Sequence, residues 1–437
     1  MPLLAWTLNC AYLIVLIIAS PLLLWRAVRH GKYRSGFGQK LFGRLPKFEE
    51  RGRVVWFHAV SVGEVLQLET IIPAFAARYP DRRILISTTT NTGLDVARER
   101  FGQHTCCYFP LDFSWAVKQA LRRTKPEMVV LVELELWPNF VFAAKRHGAR
   151  LAMINGRMSS RSYRGYGRIG PLVRRVLRQF DIVGTQTRDY AERLENLGAT
   201  NVQITGSIKF DRVLTDRAND ATEAMRAAFS IRNDDIVLVA GSTQAPEELM
   251  ALNAWRQLRA EFPMLRLVLV PRHKERFDEV ADLIQTEGVD CVRRTSSDST
   301  CTGDSVVLLD TLGELRDCWG LADVAFVGGS FGDRGGQNMI EPAGYGTPVL
   351  FGPNTANFGD TVDRLLAADA AIVVPSIGEF TGMVRSLLEQ PDRRKAMGQR
   401  AQNVVLDQAG GSQRTLELLY LVMHQTDNSE SIRPYAA

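Results

Sequence analysis

The feature that most constrains this chain is a repeated change of hydrophobic period. Short apolar runs rich in Val, Ile and Leu alternate with stretches whose apolar residues return at helical spacing. In the first half the runs are Val54–Ala59, Ile84–Thr88, Met128–Glu133, Leu151–Asn155, Ile182–Thr185 and Val202–Thr205, with helical patterns such as Gly93–Phe101 and Trp137–His147 between them. This alternation implies a parallel sheet covered by helices on both faces. The chain turns polar across Phe210–Ala224 and the alternation then restarts. The new runs are Ile236–Ala240, Leu265–Val270, Val306–Leu309, Val324–Val327, Val349–Phe351 and Ala371–Val374. Two doubly wound α/β domains are therefore expected, spanning residues 29–215 and 216–425. A length of 437 residues with 46% hydrophobic content is enough for two such cores.

The first segment obeys a different rule. Leu3–Trp25 carries no charge and is long enough to cross ~30 Å of hydrocarbon as a helix. Arg26, Arg29, Lys32, Arg34, Lys40 and Arg44 follow it, and no Lys or Arg precedes it. A cleaved signal peptide has the opposite polarity, and this bias keeps the C-terminal side in the cytoplasm. Residues 1–28 read as a signal-anchor, kinked at Pro21, with a buried core helix as the competing reading. "RTSSDSTCTGD" (294–304) reads as a surface loop and residues 426–437 as a disordered tail. Six scattered cysteines without a CxxC read as reduced thiols.

Polar clusters fall where such sheets bind ligands, beyond the carboxyl ends of the strands. In the first domain they are His58–Glu64, "ELELWPN" (Glu133–Asn139) and "TGSIKFD" (Thr205–Asp211). In the second they are "GSTQ" (Gly241–Gln244), "PRH" (Pro271–His273) and "GGSFGDRGGQNMIE" (Gly328–Glu341). Two domains with polar ligand-side edges suggest an enzyme with a cleft between facing sheets. Glu133 and Glu135, if on a strand, share a face with Val129 and Leu131. Two carboxylates there are costly without partners or a ligand, and one of them also reads as a structural acceptor. A helix is expected at Asn338–Gly344. Gly335 and Gly336 permit close backbone approach, and the N–H groups at the helix start suit a phosphate or ribose oxygen. The plainer reading is a glycine-rich loop with an Asn cap. Lys209 and Arg272, also at strand ends, add positive charge for an anion.

Other motifs exclude functions. "GYGRIG" (Gly165–Gly170) matches GxGxxG but follows no strand, so it is not a dinucleotide site. There is no GxxxxGK[ST], no HExxH and no DxD pair, which leaves a divalent ion without an evident home. Arg157, Arg161, Arg164, Arg168, Arg174, Arg175 and Arg178 share one segment with no acidic residue. A solvated basic face is the common meaning of such a run. Beside an anchor it points to an anionic membrane surface or a phosphorylated lipid. Nucleic acid is not expected, since nothing resembles a base-reading module. The net charge of +5 is neutral between these partners.

Taken in order, "HAVSVGE", "ELELWPN", "NGRMSSRS", "TGSIKFD", "PRHKERF", "DTLGEL" and "GGSFGDRGGQNMIE" resemble the 3-deoxy-D-manno-octulosonic acid (Kdo) transferases of Gram-negative bacteria. The resemblance runs over almost the whole chain. It implies a GT-B glycosyltransferase: two Rossmann-like domains facing a cleft, an N-terminal membrane-anchor helix, an acceptor-binding first domain and a CMP-Kdo-binding second domain. It implies inverting transfer of Kdo from CMP-Kdo to the lipid A precursor, in lipopolysaccharide core biosynthesis at the cytoplasmic face of the inner membrane, with no metal or other cofactor. By motif, Glu64 becomes the proton acceptor, and Glu133 and Lys209 stabilise the transition state. Pro271, Arg272, Leu312, Gly313, Glu314, Asn338, Met339, Ile340 and Glu341 bind CMP. Gln244 and Gln337 depart from the pattern, since many members carry His at each. The alternatives are another GT-B enzyme using a UDP-sugar, transferase or epimerase, and a non-enzymatic, membrane-anchored lipid- or polyanion-binding protein.

Overall fold

The structure, a computed structural model, describes residues 2–30, 35–48, 54–296 and 304–430. Lys32, Arg34, Cys301 and most of the expected 294–304 loop lie outside these. The chain forms two compact units, Met1–Arg212 with Ala409–Ala437, and Val213–Gln408.

The first unit is built on a seven-stranded sheet. Its strands are β1 (Val54–His58), β2 (Arg83–Thr88), β3 (Thr105–Tyr108), β4 (Pro126–Val132), β5 (Arg150–Gly156), β6 (Ile182–Thr185) and β7 (Val202–Ile204). The order is β3-β2-β1-β4-β5-β6-β7 and every pairing is parallel. The second unit repeats the plan with β8 (Ile236–Thr243), β9 (Leu265–Pro271), β10 (Cys291–Arg293), β11 (Val306–Leu308), β12 (Val324–Val327), β13 (Val349–Phe351) and β14 (Ala371–Val373), in the order β10-β11-β9-β8-β12-β13-β14. Strand order reverses between β1 and β4 in one sheet and between β8 and β12 in the other. Connections there leave on opposite faces, and a crevice opens at the carboxyl ends.

Central strands are apolar on both faces because helices cover both. All five residues of β1 are buried. Trp56, Val129 and Leu131 pack with Phe140, Val176 and Leu177 on one side. Val55, Phe57 and Val130 pack with Val65, Phe75, Leu419 and Met423 on the other. β3 and β10 escaped the sequence reading. They are short sheet-edge strands, "TCCY" and "CVR", without a continuous apolar run.

The C-terminus departs from the expected domain limits. The helix Gly411–Glu430 belongs with the first unit, where Leu416, Leu419, Val422 and Met423 complete the core. Residues 409–425 therefore do not close the second domain. Asp211 fixes the return by accepting from the backbone N–H of Gly410 (2.6 Å) and of Ser412, and Arg414 Nε donates to Thr205 O at 2.8 Å. Of the tail expected to be disordered, residues 426–430 are helical; residues 431–437 lie outside the described residues. The apolar N-terminal segment forms one helix, Pro2–His30, containing Pro21. Its stretch Leu3–Leu22 is long and apolar enough to cross a membrane.

Candidate active site

The chain beyond β1 turns directly into the helix Val62–Gln67, with Ser61 at its N-cap and Glu64 in its first turn. Ser61 and Glu64 have the spacing of a capping box, here in modified form. Glu64 Oε2 accepts from Val60 N at 2.8 Å and Oε1 from Ser61 Oγ at 2.9 Å. Each carboxylate oxygen has two acceptor positions, so one remains on each. Burial pushes the Glu64 carboxyl above its ordinary value, and the Glu133 charge adds to the rise; the hydrogen bonds and Lys209 oppose it. A β-carbon on Gly63 would meet nothing nearer than Ser61 Oγ at 4.0 Å. The fold does not demand glycine there, and the approach to Glu64 stays open.

Across the switch point, β4 ends at Val132 and Glu133 takes φ 61°. This corrects the expectation that Glu133 and Glu135 continue a strand face. A left-handed residue breaks the alternation, at a strain on the order of 1–3 kcal/mol. The turn aims Glu133 at Lys209, from the 3-10 helix Ile208–Arg212, with Nζ to Oε1 at 3.4 Å. Glu64, Glu133 and Lys209, far apart in sequence, thus converge at one crevice.

Two amides that the sequence reading missed hold this arrangement. Gln67, almost fully buried, donates from Nε2 to Glu133 Oε1 at 3.3 Å, and its Oε1 accepts from Asn155 Nδ2 at 2.6 Å. Asn155, itself left-handed at φ 54°, accepts from Ile208 N at 3.3 Å. The helix carrying Glu64, the end of β5 and the segment carrying Lys209 are thereby tied together. Gln67 lies one helical turn beyond Glu64, the only signal the sequence offered for either residue.

Glu135 accepts from Trp137 Nε1 at 2.7 Å, so the expected structural acceptor is this second glutamate. Burial pushes its carboxyl up to about 7, and the charges of Glu64 and Glu133 act the same way. Tyr166, on the arginine-rich helix Ser160–Gly167, senses the Glu135 charge. The arginine series therefore adjoins this edge of the unit. Gly165 and Gly167 of "GYGRIG" sit at the end of that helix. His58 is wholly buried, stacked on Phe109 at 3.7 Å, with its imidazole pushed down to about 3 by burial. It packs as a neutral ring.

In the second unit the candidate nucleotide residues follow the ends of β9, β11 and β12. Pro271 closes β9. Arg272 donates its N–H to Thr243 O at 3.0 Å and leaves its side chain exposed. Leu312 is 68% exposed beside Gly313 at φ 92°, and Glu314 is held by Arg294 (3.1 Å) and the Thr311 hydroxyl. Asn338 accepts from Ile340 N at 3.0 Å and donates to Glu341 Oε1 at 2.9 Å. The helix begins at Ile340 rather than Asn338, because Asn338 is spent on the turn that precedes it. Met339 is buried as the cap residue of this short helix.

Sequence reasoning also missed Glu247, which is 2% exposed. Its oxygens accept from the N–H groups of Gln244 (2.9 Å), Gly329 (2.8 Å), Ser330 (3.0 Å) and Phe331 (3.3 Å). One carboxylate thus joins the loops after β8 and β12 across the second switch point. Gly328 can carry no side chain, since a β-carbon would lie 2.6 Å from Glu247 Oε2 and from Thr243 Cα.

The family described as "3-Deoxy-D-manno-octulosonic-acid transferase (kdotransferase)" matches residues 34–212. A 3-deoxy-D-manno-octulosonic acid transferase of Bordetella pertussis is 35% identical over 424 residues, 93% of this chain and 98% of the relative. That of Haemophilus influenzae is 30% identical, covering 93% and 97%. The chain belongs to the Kdo transferase family. It is a glycosyltransferase. Among solved structures, a UDP-N-acetylglucosamine 2-epimerase (TM-score 0.57, 15% identity, 86% of this chain and 97% of that one) shares the fold. So does a glycosyltransferase from Rickettsia africae (TM-score 0.56, 11% identity, 86% and 99%). These establish a GT-B-like architecture of two Rossmann-like units.

The two departures from the family's pattern meet in space. A β-carbon on Gly329 would lie 3.3 Å from both Gln244 Nε2 and Gln337 Nε2. The two glutamines therefore flank one backbone position of this Kdo transferase.

A general base works deprotonated, so activity falls as pH drops through its pKa. The Glu133 charge raises the Glu64 pKa and Lys209 lowers it. Glu133→Gln should move the acid limb of kcat/KM to lower pH, and Lys209→Gln should move it to higher pH. Limbs that stay in place would remove Glu64 as the titrating group. Glu247→Ala, which strips the acceptor from four backbone donors, should lower stability by about 3 kcal/mol in urea titrations.

Proposed function

We propose that this enzyme transfers Kdo from CMP-Kdo to the lipid A precursor, with inversion, in lipopolysaccharide core biosynthesis at the cytoplasmic face of the inner membrane. The observation that carries the reading is the convergence of Glu64, Glu133 and Lys209 at the switch point of the first sheet. Glu64 takes the proton from the acceptor hydroxyl as its oxygen attacks the anomeric carbon of Kdo. The bond from that carbon to the CMP phosphate oxygen breaks, and its electron pair leaves with CMP. The sugar passes through an oxocarbenium-like state, and Glu133 and Lys209, held as a pair, stabilise it. Arg272, exposed at the end of β9, meets the nucleotide phosphate. Leu312–Glu314 and Asn338–Glu341 hold the rest of CMP. The reaction as proposed uses no metal ion.

The acceptor is a phosphorylated lipid on this reading. Arg174, Arg175 and Arg178, with Gly170 and Pro171, line a hollow of about 360 Å³. All three arginines are exposed, and the neighbouring Ile169 is 52% exposed. Exposed cations beside an apolar side chain suit a lipid headgroup at a membrane surface. The N-terminal helix supplies the anchor.

Glu64→Ala should remain folded and bind CMP-Kdo, with kcat lower by ~10²–10⁴-fold in a purified assay with lipid A precursor. Turnover near wild type would overturn the assignment. Saturating EDTA should leave the wild-type rate unchanged, and abolition of activity restored by a divalent ion would overturn the metal-free reading.

A further inference from the structure

The composition of the N-terminal helix fits either a membrane span or a helix lying in one leaflet; its contacts separate the two. Asn9 is only 3% exposed. Its Nδ2 donates to Ser114 Oγ at 2.8 Å, and its Oδ1 accepts from Ser114 N at 3.0 Å and from Asn139 Nδ2 at 3.3 Å. One turn on, the Tyr12 hydroxyl donates to Asp112 Oδ2 at 2.9 Å, and its ring meets Phe113 edge-on at 6.1 Å. Leu4 packs against the core of the first unit. These residues lie on one stripe of the helix. The opposite side is bare: Leu3, Trp6, Ile14, Ile17, Ile18 and Leu22 are each more than half exposed.

We propose that this helix lies in the plane of a single membrane leaflet, pinned along the first unit by Asn9 and Tyr12, and does not cross the bilayer. The proposal rests on the membrane reading above and specifies its geometry. In a spanning helix, Leu3–Leu22 would fill the hydrocarbon. Counted from Leu22, the end from which the chain enters the body, Tyr12 would then sit roughly 15 Å and Asn9 roughly 20 Å below the membrane surface, at 1.5 Å per residue. Their partners Asp112, Ser114 and Asn139 belong to the body of the first unit, which also carries Glu64 and Glu133. Keeping the bonds would draw irregular backbone of that body into lipid, where it is not tolerated. Breaking them would leave Asn9 in lipid with no protein partner, and would strip Asp112, which is 4% exposed, of the tyrosine hydroxyl. The in-plane arrangement requires neither. The polar stripe stays on protein, the apolar side enters the acyl region, and the protein takes the place that water holds for an ordinary interfacial helix.

The test uses the full chain in inside-out and right-side-out membrane vesicles, probed with a membrane-impermeant maleimide and read peptide by peptide by mass spectrometry. Pro2→Cys, with Cys10→Ser, reports the start of the helix; Glu192→Cys, at an exposed position of the first unit, reports the side on which that unit lies. The expected result is that both sites label in the same vesicle orientation. Labelling of the two sites from opposite sides would overturn the in-plane geometry and leave the membrane reading intact. Absence of the chain from the vesicle fraction would overturn the membrane reading, and the geometry with it.

Discussion

The candidate site depends on the 3.4 Å pair between Lys209 and Glu133. Three carboxylates, Glu64, Glu133 and Glu135, are gathered at the end of one sheet, where burial and the neighbouring carboxylate charges favour the neutral acid at Glu64 and Glu135. A proton acceptor must instead be ionised. Lys209 is the cation that opposes the rise at Glu64. Its position is set by a 3-10 helix whose Ile208 and Phe210 are buried and whose Asp211 is held by the returning C-terminal helix. The last helix of the chain therefore helps to place Lys209.

On the proposed mechanism Glu64 combines two duties. As a first-turn residue it accepts from Val60 N and Ser61 Oγ, which fixes its rotamer. As a partly buried carboxylate it keeps acceptor positions for a substrate proton. These duties reinforce each other, because a base already fixed in place loses little freedom when substrate arrives. Burial raises its pKa, and a general base is most effective when its pKa lies near the operating pH.

Much of this was legible in the sequence. Central strands such as Val324–Val327 and the stretch Met128–Val132 show continuous apolar runs because both faces are covered, and their ends place the polar clusters. The edge strands Thr105–Tyr108 and Cys291–Arg293, "TCCY" and "CVR", lack such a run and went unread, whereas the edge strands Val202–Ile204 and Ala371–Val373 carry enough apolar residues to be read. The left-handed turn at Glu133 was hidden because alternation assumes that a strand continues until a breaker stops it, and "ELELWPN" has no breaker before Pro138. Gln67, Asn155 and Glu247 were hidden for another reason. Their importance lies in partners 66, 53 and 82 residues away or more, and a local pattern carries no record of such contacts. The C-terminal helix was assigned to the wrong unit because its apolar spacing says that a face is buried, not which core buries it.

Asp112 joins the N-terminal helix to the segment that follows Glu133 and Glu135. Its carboxylate accepts from Asn139 N (3.0 Å) and Phe140 N (2.8 Å), capping the helix Pro138–Arg146 from a distant loop, while Tyr12 donates to the same group. That helix starts one residue after Trp137, whose indole holds Glu135. Docking of the N-terminal helix and the orientation of the "ELELWPN" loop thus share one buried carboxylate, which burial pushes up to about 7. On the proposed in-plane arrangement, the contact that holds the first unit to the lipid surface also seats, through two backbone N–H groups, the loop carrying Glu133 and Glu135. Only a helix lying against the body can act in this way; one that left the body to cross a bilayer would take Tyr12 with it.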